Sequence, residues 1–197
     1  NGVELAGGPE ISREKARQHF GFADGDVVIG MVANLPRPVK GGRQLLDCIS
    51  AIVNGAPNAR FLLVGLGTDQ ESLRPELEAR GIADHVVVGA GYRRDVEICY
   101  AAMDISVLTS STEGLSITLL ESMRCGLPTV VTRVGGNPEL VVDSKTGFLV
   151  AYGDAPAFVE RVVALVQDAP LRQAMGEAGR RRVVENFAIE DVAQRYL

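Results

Sequence analysis

Two glutamates, Glu113 and Glu121, stand eight positions apart in the stretch TEGLSITLLESMRCGLPT, Thr112 to Thr129. Gly114 marks a turn and Ser116 a helix start between them, which places one carboxylate in a loop and the other in the first turns of a helix. The N–H groups of a helix start lack intrahelical acceptors and lie at the positive end of the helix dipole, an arrangement that attracts phosphate. Two carboxylates around an anion hole suit a ligand with both hydroxyls and phosphates, and a sugar nucleotide is the candidate. Such spacings also arise by chance, with Glu113 solvating a loop and Glu121 on an exposed helix face. Against that, Leu119, Leu120 and Met123 make the helix largely apolar and therefore buried. A carboxylate there needs donors, and ligand hydroxyls would supply them.

Arg37 and Lys40 form a second constellation, in the loop Asn34 to Gly42 that follows an apolar run. A guanidinium binds phosphate oxygens bidentately and an ammonium binds them as a point charge. Together they would stabilise charge building on a departing diphosphate, a task with no need for a metal. Alone, the pair also reads as two solvated loop cations. Gly65-Leu66-Gly67 and Gly89-Ala90-Gly91 each follow a strand and would let backbone approach a nucleotide. Neither completes Gly-x-Gly-x-x-Gly, since the sixth positions are Gln70 and Arg94. The acidic residue that a dinucleotide site places about 20 residues further on is missing as well. These glycines argue against a dehydrogenase. Gly135-Gly136 reads as a plain turn with a weaker option of packing against a substrate, and Arg180-Arg181-Arg182, beside Glu177 and Glu185, reads as a solvated face.

The elements that would position these residues alternate. Val27 to Ala33, Ala59 to Val64, Val86 to Val88, Ile105 to Leu108, Pro128 to Thr132 and Gly147 to Val150 are short apolar runs, as expected of strands buried on both faces. Between them, helical patterns span Gly42 to Asn54, Asp69 to Arg80, Arg94 to Met103 and Ile117 to Cys125, the last followed by Gly126 in a position that favours left-handed backbone. Ser12 caps a short helix, Arg13 to Phe20, ended by Gly21. After Val150 the pattern is purely helical: Ala155 to Gln167, a helix begun at Pro170 and running toward Asn186, and a third from Ile189 to Leu197. Strand–helix alternation implies right-handed crossovers and an open, doubly wound parallel α/β sheet. Its ligands bind at the carboxyl ends of the strands, where every loop named above falls.

The chain has 197 residues, enough for one domain with a sizeable core. A formal charge of −5 argues against a nucleic-acid partner, which calls for a basic surplus. Cys48, Cys99 and Cys125 lie far apart and, with only His19 and His85 as histidines, form no convincing metal set, so metal is expected to be absent and the setting cytoplasmic and reduced. No apolar run approaches the roughly 18 residues of a membrane span, and no signal peptide opens the chain. The opening Asn1-Gly2-Val3 reads like the middle of something longer, and Asn1 to Glu10 like a linker or strand tail.

NGV at the start, the loop ending in PVKGG, LLVGLG, DISVL, STEGLSITLLESMRCGLPTVVTRVGGNPELV and KTGFLV together resemble the carboxyl-terminal domain of the group 1, or family 4, retaining glycosyltransferases. The resemblance covers almost the whole chain in order and is most specific from Ser111 to Leu149. It implies the GT-B fold, two Rossmann-like domains across a cleft. The carboxyl-terminal domain binds the nucleotide-sugar donor and the amino-terminal one, absent here, binds the acceptor. On this reading residues 1–197 are the donor domain, with 187–197 a terminal helix that crosses to the missing half. Glu113 matches the family's glutamate for the donor sugar hydroxyls, Glu121 the one for the ribose, and Lys40 the lysine for the diphosphate. The backbone of Gly114, Leu115, Ser116 and Ile117 would lie against diphosphate and sugar, with Arg93 near the base and Gly65 among the nucleotide's neighbours. The family's arginine precedes its lysine by about five positions, where this chain has Asn34 and Leu35; Arg37 sits closer, beside Pro36. EGLSIT likewise departs from the commoner EGFGLP.

The resemblance implies transfer of a hexose from a UDP- or GDP-linked donor to an acceptor hydroxyl with retention, without cofactor or metal, in polysaccharide or glycoconjugate synthesis. Lys40, with Arg37, and the Ile117 helix end would stabilise the leaving group while Glu113 fixes the sugar. Without an acceptor domain the chain alone would bind donor weakly and transfer nothing, and peripheral contact with the inner membrane face would come through the missing half. The alternatives are a non-catalytic nucleotide-binding module and a sugar-nucleotide epimerase of the same fold, although the latter calls for catalytic histidines that this half lacks.

Overall fold

Odd and even residues of the first two strands separate into two cores, the signature of a strand covered on both faces. In β1 (Val27–Val32) and β2 (Ala59–Val64), Val27, Ile29, Met31, Ala59, Phe61 and Leu63 join one apolar cluster with Leu45, Ile49 and Ile52 of α2 (Gly42–Gly55). Val28, Leu62 and Val64 join the other, with Ala16 of α1 (Arg13–Phe20) and Cys99, Tyr100 and Ala102 of α4 (Val96–Ala102). The computed structural model describes residues 11–34, 37–65, 70–89 and 96–187. The expected tail Asn1 to Glu10, Arg93 and the helix from Ile189 to Leu197 lie outside them.

The remaining strands and α-helices are α3 (Gln70–Ala79), β3 (Val86–Gly89), β4 (Ile105–Leu108), α5 (Ile117–Arg124), β5 (Thr129–Thr132), α6 (Asn137–Leu140), β6 (Gly147–Val150), α7 (Ala155–Gln167) and α8 (Ala169–Asn186). The sheet is six-stranded in the order β3-β2-β1-β4-β5-β6, and every pairing is parallel. The doubly wound parallel α/β fold expected from the alternation is the one observed. Its strand order reverses between β1 and β4, and ligands of such sheets bind in the crevice outside the carboxyl ends at that reversal. The loops that leave β1 and β4 carry Lys40 and Glu113.

The expected caps hold: Ser12 accepts from the Lys15 N–H, and Gly21 and Gly126 are left-handed. Two further N-caps appear, Asp154 accepting from the Ala157 N–H and Asp168 from that of Leu171. α7 packs on α2, and α8 on α5. The triple-arginine run is only partly a solvated face. Arg180 and Arg181 are exposed, but Arg182 donates to the carbonyls of Leu140 at 2.8 Å and Glu139 at 2.7 Å, tying α8 to the end of α6.

Candidate active site

Lys40 owes its place to a short 3₁₀ turn, Pro38–Lys40, which ends at Gly41 with φ 70°. A Cβ on Gly41 would stand 1.9 Å from the carbonyl oxygen of Thr109, so only glycine lets this turn press against the exit of β4. Two hydrogen bonds hold the contact. Thr109 Oγ1 donates to the Gly41 carbonyl at 2.7 Å, and the Ser111 N–H donates to the Val39 carbonyl at 2.8 Å. Segments far apart in sequence thereby become one rigid ledge.

On that ledge Lys40 Nζ donates to both oxygens of Glu113, at 2.8 and 2.9 Å. Ser110 Oγ donates to Glu113 Oε1 at 2.6 Å. The Glu113 side chain is 6% exposed and that of Lys40 28%, so the carboxylate is the more deeply buried partner. Glu113 therefore does not solvate a loop. Its position is set from below by Ser110, whose own carbonyl accepts from Thr132 Oγ1 of β5 at 2.6 Å.

The turn after β5 closes the other side. Gly135 has φ 47°, and a Cβ there would lie 1.6 Å from the Glu113 carbonyl oxygen. The Gly136 N–H donates to the Gly114 carbonyl at 3.1 Å. Gly135-Gly136 is thus a turn, the plainer of the two expectations, and it packs against the Glu113 loop. Gly65, at the end of β2, abuts the Ala33 carbonyl where β1 ends.

α5 begins as expected. Ser116 is its N-cap and its Oγ accepts from the Leu119 N–H at 3.4 Å. Among the described residues the N–H groups of Ile117 and Thr118 take no backbone acceptor, and they are the donors that this positive helix end offers. Ile117 is 43% exposed although apolar. Glu121 lies one turn into the helix, half-buried. Its carboxylate already has a protein donor, the Tyr100 hydroxyl, at 2.9 Å from Oε2. Burial first, then the charge of Glu121, pushes the Tyr100 phenol well above its ordinary range, so it stays protonated and donates.

The structure therefore brings Lys40, Glu113, the start of α5 and Glu121 to one edge of the sheet. Arg37 stands exposed at the start of the Lys40 turn and is not drawn into the Lys40–Glu113 pair. Ser110, Gly41 and Tyr100 were not anticipated as site residues. Ser110 had a local signal, three positions before Glu113. For Tyr100, 21 positions from Glu121, no local spacing announces the contact. Among the described residues no group of three or more His, Cys, Asp or Glu side chains is placed to hold a metal, and no helix is long and apolar enough to cross a membrane.

Comparison with known proteins gives a consistent picture. The sequence model of the group 1 glycosyl transferases matches residues 12–182. The chain is 30% identical over 180 residues to N-acetyl-alpha-D-glucosaminyl L-malate synthase of Bacillus anthracis, covering 91% of this chain and 46% of that protein. It is 32% identical over 184 residues to the GDP-mannose-dependent alpha-(1-6)-phosphatidylinositol monomannoside mannosyltransferase of Mycolicibacterium smegmatis, covering 89% of this chain and 48% of that protein. The chain spans about half the length of the curated relatives it matches. Among solved structures, Anabaena HepE in complex with UDP and glucose aligns with a TM-score of 0.86 at 25% identity, over all of this chain and 54% of HepE. The C-terminal domain of LpcC, a group 1 glycosyl transferase family protein from Francisella tularensis, shares the fold with a TM-score of 0.81 at 22% identity, over 95% of this chain and 100% of that domain.

Proposed function

Because this chain belongs to the group 1 glycosyl transferase family, we propose that it is the carboxyl-terminal, donor-binding domain of a retaining, metal-independent hexosyltransferase using a UDP- or GDP-linked sugar. The observation that carries this reading is the meeting of Lys40 and Glu113 at the β1/β4 reversal, beside the start of α5. A cation for a diphosphate, a carboxylate for sugar hydroxyls and free helix N–H groups stand together there, as a nucleotide sugar requires. HepE, solved with UDP and glucose, supports the ligand class.

In this reading the diphosphate lies against Gly114 to Ile117 with Lys40, joined by Arg37, balancing its charge. Glu113 accepts from the donor sugar hydroxyls and Glu121 from the ribose. Gly65 and Arg93 border the nucleotide, Arg93 near the base. The acceptor oxygen bonds to the anomeric carbon on the face from which the diphosphate departs. The electron pair of the broken C–O bond leaves on the diphosphate, which also takes the acceptor's proton. Lys40 and the helix end stabilise the charge that builds there, which is worth most in a site shielded from water. Residues 187–197 would cross to an acceptor-binding domain, so turnover belongs to the full-length protein and this chain alone would bind donor and transfer nothing. The acidic balance and three free cysteines suit a cytoplasmic setting, with membrane contact left to the other half.

Calorimetry with UDP and GDP tests the reading. Glu121→Ala is expected to weaken the preferred nucleotide by about tenfold, since hydrogen bonds to a charged group are lost. Unchanged affinity would show the ribose assignment to be wrong.

A further inference from the structure

We infer that Tyr100 is a positioning residue for nucleotide recognition: its buried hydroxyl holds the Glu121 carboxylate in the orientation that meets the ribose. This rests on the reading of Glu121 as the ribose-binding group.

The geometry is specific. Tyr100 lies on α4, is 2% exposed, and its ring belongs to the second apolar cluster with Val28, Leu62 and Met103. Packing therefore fixes the ring, and with it the position of the hydroxyl. From there the oxygen stands 2.9 Å from Glu121 Oε2 and 3.2 Å from the Thr118 carbonyl. The phenol has one proton, and the shorter contact to the charged acceptor takes it. One hydroxyl thus touches α5 at its first turn and again at its functional side chain.

A glutamate on a helix surface samples many rotamers, and ordering it on binding costs side-chain entropy. Here Oε2 is already held, and among the described residues no side chain is bonded to Oε1, which can meet a ligand diol. Pre-ordering of this kind raises affinity without any contact between Tyr100 and ligand. Its signature is confined to the ribose. A nucleotide without those hydroxyls gains nothing from an oriented Glu121.

The test is a set of titrations on the full-length protein with UDP, GDP and their 2′,3′-dideoxy analogues. Tyr100→Phe, which keeps the ring, is expected to bind the preferred nucleotide about three- to tenfold more weakly, the worth of one hydrogen bond. It should bind the dideoxy analogue as the wild type does, and raise KM for the donor while leaving kcat unchanged. Glu121→Ala should abolish the preference for the ribose hydroxyls, and adding Tyr100→Phe to it should change nothing further. If Glu121→Ala removes the preference but Tyr100→Phe leaves it intact, the positioning role is overturned and the ribose assignment stands. If Glu121→Ala itself keeps the preference, the ribose assignment falls and the positioning role falls with it. Equal losses for both nucleotides in Tyr100→Phe would mean a general packing defect and would also overturn the proposal. Tyr100→Met serves as the second variant should the Phe variant fail to fold.

Discussion

The Lys40–Glu113 pair makes a quantitative prediction about stability. At 2.8 Å the gross attraction at an effective dielectric of about 20 is roughly 6 kcal/mol, most of it offset by desolvation of both ions. Exposure then locates the net value. Exposed pairs contribute about 0.2–1 kcal/mol, whereas breaking a buried pair costs about 3–5 kcal/mol. With Glu113 at 6% and Lys40 at 28% exposure the pair lies between these limits, and about 2 kcal/mol of coupling is expected. The asymmetry is as informative as the size. Lys40→Met leaves a buried carboxylate with Ser110 as its remaining side-chain donor among the described residues, and should cost about 2–3 kcal/mol. Glu113→Gln leaves a partly exposed ammonium that water can solvate, and should cost less than about 1 kcal/mol. The double variant should resemble Glu113→Gln alone. Urea unfolding of the four proteins at neutral pH gives the cycle directly. In thermal melts the Lys40→Met deficit should appear as a Tm lower by about 4–12 °C, scaling from about 2–4 °C per kcal/mol at this size. A coupling below about 0.5 kcal/mol, or Glu113→Gln costing more than Lys40→Met, would refute the burial argument.

Gly135→Ala should destabilise the protein by more than about 2 kcal/mol, adding a backbone clash with Glu113 to left-handed strain of about 1–2 kcal/mol, and should weaken UDP or GDP binding. Gly153→Ala, at φ 84° with nothing within 4 Å, carries only the strain; the same urea assay compares them, and equal losses would discount the clash. Burial first, and then the charge of Asp47, raises the Cys48 thiol from 9.0 to about 11. The unfolded thiol ionises at lower pH than the native one, so this contribution is complete below about pH 9 and is lost as pH rises from 9 toward 11. Denaturation midpoints measured across that range should fall less steeply in Cys48→Ala.

Much of the architecture was legible because each strand and helix announces itself locally. Apolar runs of strand length, Ser12 before one helix, Ser116 before another and Gly126 after it all follow from short-range sterics and hydrogen bonding, and the observed elements agree closely. The helix starting beyond Ser116, with one carboxylate before it and one within it, was readable for the same reason. Arg182 was misjudged because a run of arginines reads as solvated until the end of α6 is known to lie within its reach.

The sequence by itself determined the parallel α/β alternation, the loops at the carboxyl edge, the placement of Glu113 before and Glu121 within one helix, and a family resemblance that the comparisons bear out. The tertiary structure decided which of those loops touch. Lys40 meets Glu113 across 73 positions because β1 and β4 are neighbours and Gly41 admits the Thr109 carbonyl, while Tyr100 reaches Glu121 from another helix. Such contacts depend on strand order and on side-chain packing between segments distant in the chain, neither of which leaves a periodic trace in the sequence.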